Sequence, residues 1–390
     1  MTVRASDYGR QYRSQRETST SIGNISRLSA GMSATSGFHS SKPNAMPKDH
    51  NNAQDLTPSS FVPDVLPRGH VTYRGKKHNV EAPWISIGAW PWGDKATWQW
   101  DDAKERGPLK EAWQLLVQKG CNHIDTAQVY GSGESERICG ELVAGMKRED
   151  FIMQTKWWVF PGDAQNIIHP QDAPLAKLKG SLERMNLDYL DVYMVHGHIH
   201  AQSISMVAKS LADCVDQGLT KTVAVANYSA KDMLQMRDEL AKYDVPLACN
   251  QCEYSLLRRG PETEGLLKAC RENDIIFQSY SSLAQGRLSG KYHSGNEPPK
   301  QHRFSSYPMK YIEPTLEVQK QIAQKHNVSV AAVALNYNMV HGIVPVVGVR
   351  NPEQAQKNCE ALGWRLRDEE IAQLDAVSFE GKSTSLWQQG

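Results

Sequence analysis

The stretch HIDTAQVYGSGESE, residues 123–136, places a carboxylate, Asp125, at the end of a short run of alternating apolar residues and a phenol, Tyr130, in the loop just beyond. GSG follows the phenol, and the polar, helix-permissive ESERICGELV comes next, so the predicted order is strand, loop, helix. In a parallel α/β protein, the loops that follow the strands carry the chemistry. A carboxylate and a phenol this close in sequence indicate proton transfer.

Two further predicted strands end on side chains that handle protons. FIMQTKWW carries Lys156 near its end, and LDVYMVH ends on His196. Together with Asp125 and Tyr130, these residues fall at or just past the ends of three successive strands. We therefore expect all four side chains to lie at one edge of a parallel sheet.

Short β-branched segments alternate with longer amphipathic ones, eight times over, from about residue 84. The predicted strands are WISIGAW (84–90), CNHIDTA (121–127), FIMQTKW (151–157), LDVYMVH (190–196), KTVAVANYS (221–229), LACNQCEYS (247–255), IIFQSYSS (275–282) and GIVPVVGVR (342–350). Helical segments between them end on Gly120 and Gly218. This pattern predicts a (β/α)₈ TIM barrel over residues 67–390, because a doubly wound sheet needs a GxGxxG turn that SIGAWPWGD does not supply.

Two segments flank or interrupt this pattern. HVTYRGKKHNVEAP, before the first barrel strand, is typical of a β-hairpin with its turn near Arg74 to Lys77, and it is a candidate plug for the barrel floor. HSGNEPPKQHRFSSYP, residues 293–308, is a long polar insertion after the seventh strand. Long loops at that position act as lids or cofactor clamps, although a merely tolerated insertion is the alternative.

The composition is that of an ordinary globular protein. The 390 residues carry a net charge of +1, so the chain has no electrostatic footprint for nucleic acid or an anionic membrane, and it lacks a membrane-length apolar run. The seven cysteines are scattered and odd in number, which favours a reducing compartment. Cys249 and Cys252 form a CxxC within a predicted strand, where positions three apart face opposite sides, so we expect core cysteines instead of a redox or zinc pair.

Residues 1–66 differ from the rest of the chain. Up to residue 60 they hold twelve serines, with five arginines and two lysines against four acids, and they have few large apolar residues. Such a segment cannot bury enough surface to fold, so we predict a disordered extension. It is either a plain tail or an organellar transit peptide, and the second interpretation places the protein in a chloroplast or plastid instead of the cytoplasm.

Several motifs together identify a family. They are DTAxxYGxGxSE from Asp125 to Glu136, QTKWW, LDVYMVH, VANYS at 225–229, SYSSLAQGRLSGKY at 279–292 and VVGVRNPEQAQKN at 346–358. On these motifs the chain resembles the aldo-keto reductases over essentially all of residues 70–378. Its WPWGD, WQW and ALGWRL elements are most similar to the plant and cyanobacterial branch that includes pyridoxal reductases.

The resemblance implies NADPH-dependent reduction of an aldehyde or ketone, with pyridoxal or another small carbonyl compound as the candidate substrate. Hydride delivery leaves an alkoxide, and Tyr130 is the expected proton donor. Lys156 supplies a cation that favours ionisation of the phenol, Asp125 holds that cation, and neutral His196 donates to the carbonyl oxygen. The alternative is a cofactor-binding regulatory subunit resembling potassium-channel β subunits, which the four residues alone do not separate from an enzyme.

Cofactor residues follow from the resemblance in three groups. Asn227 and Gln251 correspond to contacts with the nicotinamide carboxamide, and Tyr280 to the aromatic ring on which the nicotinamide stacks. The remaining positions are Gly88 and Trp90 after the first strand, Ser281, Leu283, Gln285, Gly286 and Lys291 along the pyrophosphate, and Gly348, Arg350, Gln354 and Asn358 around the adenosine 2′-phosphate and adenine. Arginine at position 350 favours NADPH over NADH.

The sequence also raises questions about the substrate side. His196, His198 and His200 form an HxHxH, but the later strand ends supply no further metal ligands, so we expect no metal. The family usually has a tryptophan after its histidine, whereas Gly197 stands here, which predicts a more open pocket on that side. Candidate aromatic walls are Trp92, Trp157 and Trp158.

Overall fold

The computed structural model describes residue 67 and residues 69–159 and 164–381. The predicted N-terminal extension, residues 1–66, lies outside the described residues, and so does any test of a transit peptide there.

Eight parallel strands close into a barrel, as the alternating pattern predicts. Their bounds are β3 Ser86–Gly88, β4 His123–Asp125, β5 Ile152–Trp157, β6 Leu190–Val195, β7 Thr220–Ala226, β8 Leu247–Glu253, β9 Ile276–Tyr280 and β10 Ile343–Gly348. Each strand pairs with the next one along the chain, and β10 closes the barrel by pairing with β3 in a register that sets Gly348 opposite Gly88. Because all eight run in the same direction, their carboxyl ends form one mouth.

Helices surround the barrel. Their bounds are α1 Asp102–Gln118, α2 Glu134–Val143, α3 Ala164–Ile168, α4 Ala173–Met185, α5 Ile204–Asp216, α6 Ala230–Ala241, α7 Gly260–Thr263, α8 Leu266–Glu272, α9 Met309–His326, α10 Val330–Val340, α11 Pro352–Cys359 and α12 Asp368–Ala376. Gly120 and Gly218 follow the ends of α1 and α5 with a φ of 74° each, which confirms the predicted helix ends. Serine side chains cap α5, α6 and α10.

A β-hairpin precedes the barrel and closes its amino-terminal end. It consists of β1, His70–Tyr73, and β2, Val80–Pro83, paired antiparallel. Tyr73 is fully buried, and its ring meets the ring of His123, at the start of β4, edge to face with 5.8 Å between centroids. The side chain of Gln278 on β9 donates a hydrogen bond to the Tyr73 hydroxyl at 2.7 Å. The predicted plug is therefore present and is bonded to the inside of the barrel.

Cys249 and Cys252 lie in the core as expected. All seven cysteines are free thiols, six of them buried and Cys359 partly buried. Cys249 packs with apolar residues inside the barrel, whereas Cys252 packs in the layer between the strands and the helices. The two positions thus face opposite sides of β8, as the strand geometry requires. Within the described ranges, the structure contains no helix that is both long and apolar enough to cross a membrane.

Candidate active site

The mouth of the barrel brings the four proton-handling residues together. Asp125 is the last residue of β4, Lys156 lies near the end of β5, and His196 directly follows β6. Tyr130 begins a short 3₁₀ turn that connects β4 to α2. The predicted strand ends therefore converge at one edge of the barrel.

Lys156 and Asp125 form a buried ion pair. The Nζ atom of Lys156 lies 2.7 Å from each carboxylate oxygen of Asp125 and also donates to the backbone oxygen of Thr126 at 2.9 Å. The lysine is fully buried and the aspartate is 3% exposed. Burial lowers the pKa of Lys156, and the Asp125 charge opposes that change. The carboxylate thus favours a charged ammonium in a place that water does not reach.

Tyr130 lies directly above this pair. The Nζ atom of Lys156 is 5.1 Å from the centroid of its ring. Burial, with a smaller effect of the Asp125 charge, raises the pKa of Tyr130 well above its usual value. This direction is opposite to the lowering that a neighbouring cation predicts, because the cation is matched by Asp125 and the phenol is desolvated. The phenol is therefore protonated, which is the form that can donate.

His196 is a neutral imidazole at the same site. It is 8% exposed, and burial together with the Lys156 charge holds its pKa well below the usual range. Its ring meets the ring of Tyr130 edge to face, with 5.6 Å between centroids. A neutral imidazole beside a protonated phenol offers two donors to one oxygen atom of a ligand.

The GSG after Tyr130 has a steric reason. Gly131 and Gly133 have positive φ values of 54° and 90°, and a Cβ atom on Gly131 would lie 2.8 Å from the backbone oxygen of Gly93. At the start of α2, the Ser135 hydroxyl donates to the backbone oxygen of Ala89 at 2.8 Å. The tight turn and this bond fix the phenol over the ion pair.

Three glutamines inside the barrel connect Asp125 with the hairpin at the amino-terminal end. Gln154 and Gln251 both donate to the Asp125 carboxylate, and both also donate to the Gln278 side-chain oxygen, at 3.0 and 2.8 Å. Gln278 in turn donates to Tyr73 in the hairpin. Sequence reasoning missed this network, although Gln154 stands two residues before Lys156 and so shares its inward face.

The profile of the Aldo/keto reductase family matches residues 84–378. The chain belongs to the aldo/keto reductase family. As a member of that family, the protein is an oxidoreductase. A chloroplastic pyridoxal reductase from Arabidopsis thaliana is 28% identical over 351 residues, covering 86% of this chain and 93% of that protein. An L-glyceraldehyde 3-phosphate reductase from Escherichia coli O157:H7 is 29% identical over 346 residues, covering 82% and 96%.

Solved structures share the fold of this aldo/keto reductase. The crystal structure of an aldo/keto reductase from Klebsiella pneumoniae, in complex with NADP and acetate, is similar with a TM-score of 0.61 and 24% identity. The match covers 80% of this chain and 96% of that one.

Two of the three predicted nicotinamide residues, Asn227 and Tyr280, lie side by side at the mouth. Asn227 follows β7 with a φ of 60°, and its side-chain oxygen accepts a hydrogen bond from the Tyr280 hydroxyl at 2.9 Å. The Asn227 amide also donates to the backbone oxygen of His196 at 3.1 Å. Gln251 points its amide into the barrel, toward Gln278. Asn227 and Tyr280 are thus linked to the backbone of His196, whereas Gln251 belongs to the glutamine network.

The predicted pyrophosphate segment is an irregular turn after β9. Ser281, Gln285 and Gly286 have positive φ values of 54°, 52° and 92°. Leu283 is partly buried and Lys291 is exposed. This backbone keeps the chain from continuing as a strand or a regular helix, and it places small residues next to the mouth.

The predicted 2′-phosphate and adenine residues lie at the end of β10 and along α11. The backbone N–H of Arg350 donates to the Gln354 side chain at 2.8 Å, and Asn358 donates to the backbone oxygen of Gly348 at 3.4 Å. The guanidinium of Arg350 forms a two-point ion pair with Glu105 of α1. No sequence signal joined Glu105 to this group, because the two residues are 245 positions apart.

Two of the three predicted aromatic walls are wrong. Trp92 and Trp157 are fully buried, where their indole N–H groups donate to the Val349 backbone oxygen at 2.7 Å and to the Asn166 side chain at 3.0 Å. They pack in the layer between the strands and the helices. Trp158 is at the site, with its ring 5.2 Å from the ring of His196.

Other aromatic residues line the mouth instead. Trp90, two residues after the end of β3, stacks on Tyr130 with 6.0 Å between centroids. Phe304, from the long insertion at 293–308, packs against both Trp90 and Tyr280, at 5.9 and 5.4 Å. The insertion therefore lies over the predicted nicotinamide position. The more open pocket expected at Gly197 stays a prediction.

Hydrogen bonds account for the HxHxH run. His198 bonds through Nδ1 with the Asn227 backbone oxygen at 3.1 Å, and His200 bonds through Nε2 with the Tyr228 hydroxyl at 2.8 Å. In the part of the chain that the structure describes, histidine, cysteine and acidic side chains form no group of three or more suited to a metal ion.

Proposed function

We propose that this aldo/keto reductase reduces aldehydes or ketones to alcohols with NADPH, and that Tyr130 donates the proton. One observation carries the proposal: a protonated phenol and a neutral imidazole, 5.6 Å apart, lie over a buried Lys156–Asp125 ion pair at the mouth of the barrel. NADPH, when bound, supplies hydride to the carbonyl carbon.

The four side chains have separate roles in this proposal. Tyr130 gives its proton to the oxygen that becomes the alcohol, and His196 donates a hydrogen bond that orients the same oxygen. Lys156 stabilises the negative charge that develops on the phenol, since its ammonium lies 5.1 Å from the ring centroid. Asp125 keeps Lys156 charged and in place.

The residues around the mouth suit NADPH. Tyr280 offers an aromatic face for the nicotinamide, Asn227 is bonded to it at 2.9 Å, and Arg350 offers a guanidinium at the start of α11. The Klebsiella pneumoniae relative crystallised with NADP supports the same cofactor. Gly88, Gly348 and the turn from Ser281 to Gly286 would hold the dinucleotide close to the backbone.

We propose a flat aromatic aldehyde, such as pyridoxal, as the substrate. Trp90 stacks on the Tyr130 ring, Trp158 meets the His196 ring edge to face and Phe304 packs against Trp90, so a planar ring can stack against these side chains. The pyridoxal reductase relative agrees with this choice. The glyceraldehyde 3-phosphate reductase relative acts on a smaller, charged compound, which makes that aldehyde the informative comparison.

The test is steady-state oxidation of NADPH with pyridoxal, glyceraldehyde 3-phosphate and simple aldehydes. Tyr130→Phe is expected to lower kcat by about 10²- to 10⁴-fold, the usual contribution of a general acid, while NADPH binding followed by fluorescence is kept. Tyr311→Phe, on α9, is the matched control and keeps wild-type turnover. Near-normal turnover of Tyr130→Phe would refute the assignment. NADPH binding with no turnover of any carbonyl compound would instead favour the regulatory-subunit interpretation.

We further propose that the protein acts in a plastid. The first 48 residues are rich in serine and arginine, as transit peptides are, and the Arabidopsis thaliana relative is named chloroplastic. Residues 1–66 fused to a fluorescent protein are expected to direct it into chloroplasts. A cytoplasmic signal from that fusion would contradict the proposal.

A further inference from the structure

Glu105 lies where the adenosine end of the cofactor is expected. It is in the first turn of α1, and its two carboxylate oxygens accept hydrogen bonds from Nε and Nη2 of Arg350. One of these oxygens also accepts the backbone N–H of Asp101 at 2.9 Å. The side chains of Glu105 and Arg350 are only 17% and 28% exposed. The carboxylate is thus fixed against the guanidinium from two sides.

This pairing leaves part of the arginine available. A guanidinium has five N–H donors, and a bidentate pair on its Nε–Nη2 edge leaves the Nη1–Nη2 edge for a second anion. The pair as a whole, however, carries no net charge. A phosphate monoester carries a charge of about −1.5 to −2 at pH 7. The neutral pair therefore attracts it less strongly than a lone arginine does, and the nearby carboxylate repels it.

The neighbouring cation does not compensate for Glu105. Arg106, the next residue, pairs with Asp102 at 3.1 Å, with Glu134 at 2.7 Å and with Glu141. Its charge is therefore already matched by acids on α1 and α2. The Glu105 carboxylate remains the acid that bears directly on Arg350.

We infer that Glu105 is a specificity-determining residue for the cofactor, and that its charge limits the preference for NADPH over NADH. The inference rests on the proposed role of Arg350 at the 2′-phosphate. NADH has a ribose hydroxyl at that position, so the Glu105 charge does not repel it. The carboxylate therefore weakens NADPH binding selectively and keeps NADH usable.

Glu105→Gln tests the charge with little change of shape, because glutamine still accepts a hydrogen bond from Arg350. We expect the ratio of kcat/KM for NADPH to kcat/KM for NADH to rise about three- to tenfold at low salt, mainly through KM for NADPH. The increase in this ratio is smaller at 0.5 M salt, where the Debye screening length is roughly 4 Å. Asp102→Asn removes an acid from the same helical turn that does not pair with Arg350, and it leaves the ratio unchanged.

Arg350→Gln separates the inference from the proposed function. If this variant keeps the NADPH preference, Arg350 does not bind the 2′-phosphate and that part of the proposed function fails. If Arg350→Gln loses the preference while Glu105→Gln leaves the ratio unchanged or lowers it, Glu105 does not limit NADPH and the inference is overturned. If the charge of Glu105 sets the cofactor preference, Glu105→Ala changes the ratio of kcat/KM values in the same direction as Glu105→Gln. Thermal melting confirms that each variant is folded.

Discussion

Lys156 donates to both carboxylate oxygens of Asp125 at 2.7 Å, and neither side chain is more than 4% exposed. Removing one partner of such a pair leaves an uncompensated buried charge, which is far less stable than the pair. The charge on Lys156 therefore depends on Asp125.

Asp125→Asn tests this dependence through the pH profile. Burial already lowers the pKa of Lys156, and the carboxylate opposes that change, so its removal lowers the lysine pKa further. Lys156 then loses its proton at a lower pH, and the alkaline limb of the kcat/KM profile for aldehyde reduction moves to lower pH. The profile is measured with saturating NADPH.

Asp191→Asn is the control for that experiment. Asp191 is also a buried carboxylate, paired with Arg148 at 2.7 Å and Lys221 at 2.8 Å, but it lies near the opposite end of the barrel. Its variant is expected to lose stability and to keep the wild-type alkaline limb. An unmoved limb in Asp125→Asn would show that Lys156 does not need this carboxylate.

The burial of His123 predicts that the free energy of unfolding falls in acid. Burial lowers the pKa of this imidazole to about 4, whereas an unfolded histidine has a pKa of about 6.5. Because the unfolded chain takes up the proton first, the contribution to stability is complete above about pH 6.5 and is lost as the pH falls toward 4. The loss amounts to about 3 kcal/mol for one such residue.

His123→Phe keeps an aromatic ring against Tyr73 and removes this titration. The free energy of unfolding, measured with urea at pH 7, 5.5 and 4.5, is expected to fall less steeply in the variant than in the wild type. A smaller dependence remains, because burial also lowers the pKa values of His196 and His341. Equal slopes in the two proteins would contradict the assignment to His123.

The contacts of Phe304 allow a prediction about the role of the insertion at 293–308. Its ring packs against Trp90 and Tyr280, so its removal opens the space over the predicted nicotinamide position. Phe304→Ala is expected to raise the NADPH dissociation rate constant about three- to tenfold, in line with the loss of two aromatic contacts. Lys300→Ala, an exposed change in the same segment, leaves the rate unchanged. If both variants release NADPH at the wild-type rate in stopped-flow experiments, the segment is a tolerated insertion.

Much of the barrel could be predicted because its signals are local. Strands such as β5 and β6 are short and buried on both faces, and glycines such as Gly120 and Gly218 mark helix ends. Parallel strands of one barrel bring their carboxyl ends together, so the positions of Asp125 and Lys156 at strand ends were enough to predict their approach.

Contacts between distant segments could not be predicted in the same way. Trp92 stands in an irregular loop, where no periodicity tells whether a ring faces the ligand or the core. Trp157 did carry a signal, because it alternates with the inward-facing Lys156 and so points outward. The approach of Glu105 to Arg350, and of Phe304 to Tyr280, depends on how loops fold over the mouth.

The bond between Gln278 and Tyr73 has a consequence for the supply of protons. The hairpin closes the floor, and the barrel interior next to it holds three glutamine amides that already bond to one another and to Asp125. An amide cannot pass a proton along by changing its charge, so this column insulates the Lys156 pair from solvent below. In the proposed mechanism, each proton that Tyr130 gives to a product is then replaced through the mouth, the same opening by which substrate would arrive and product would leave.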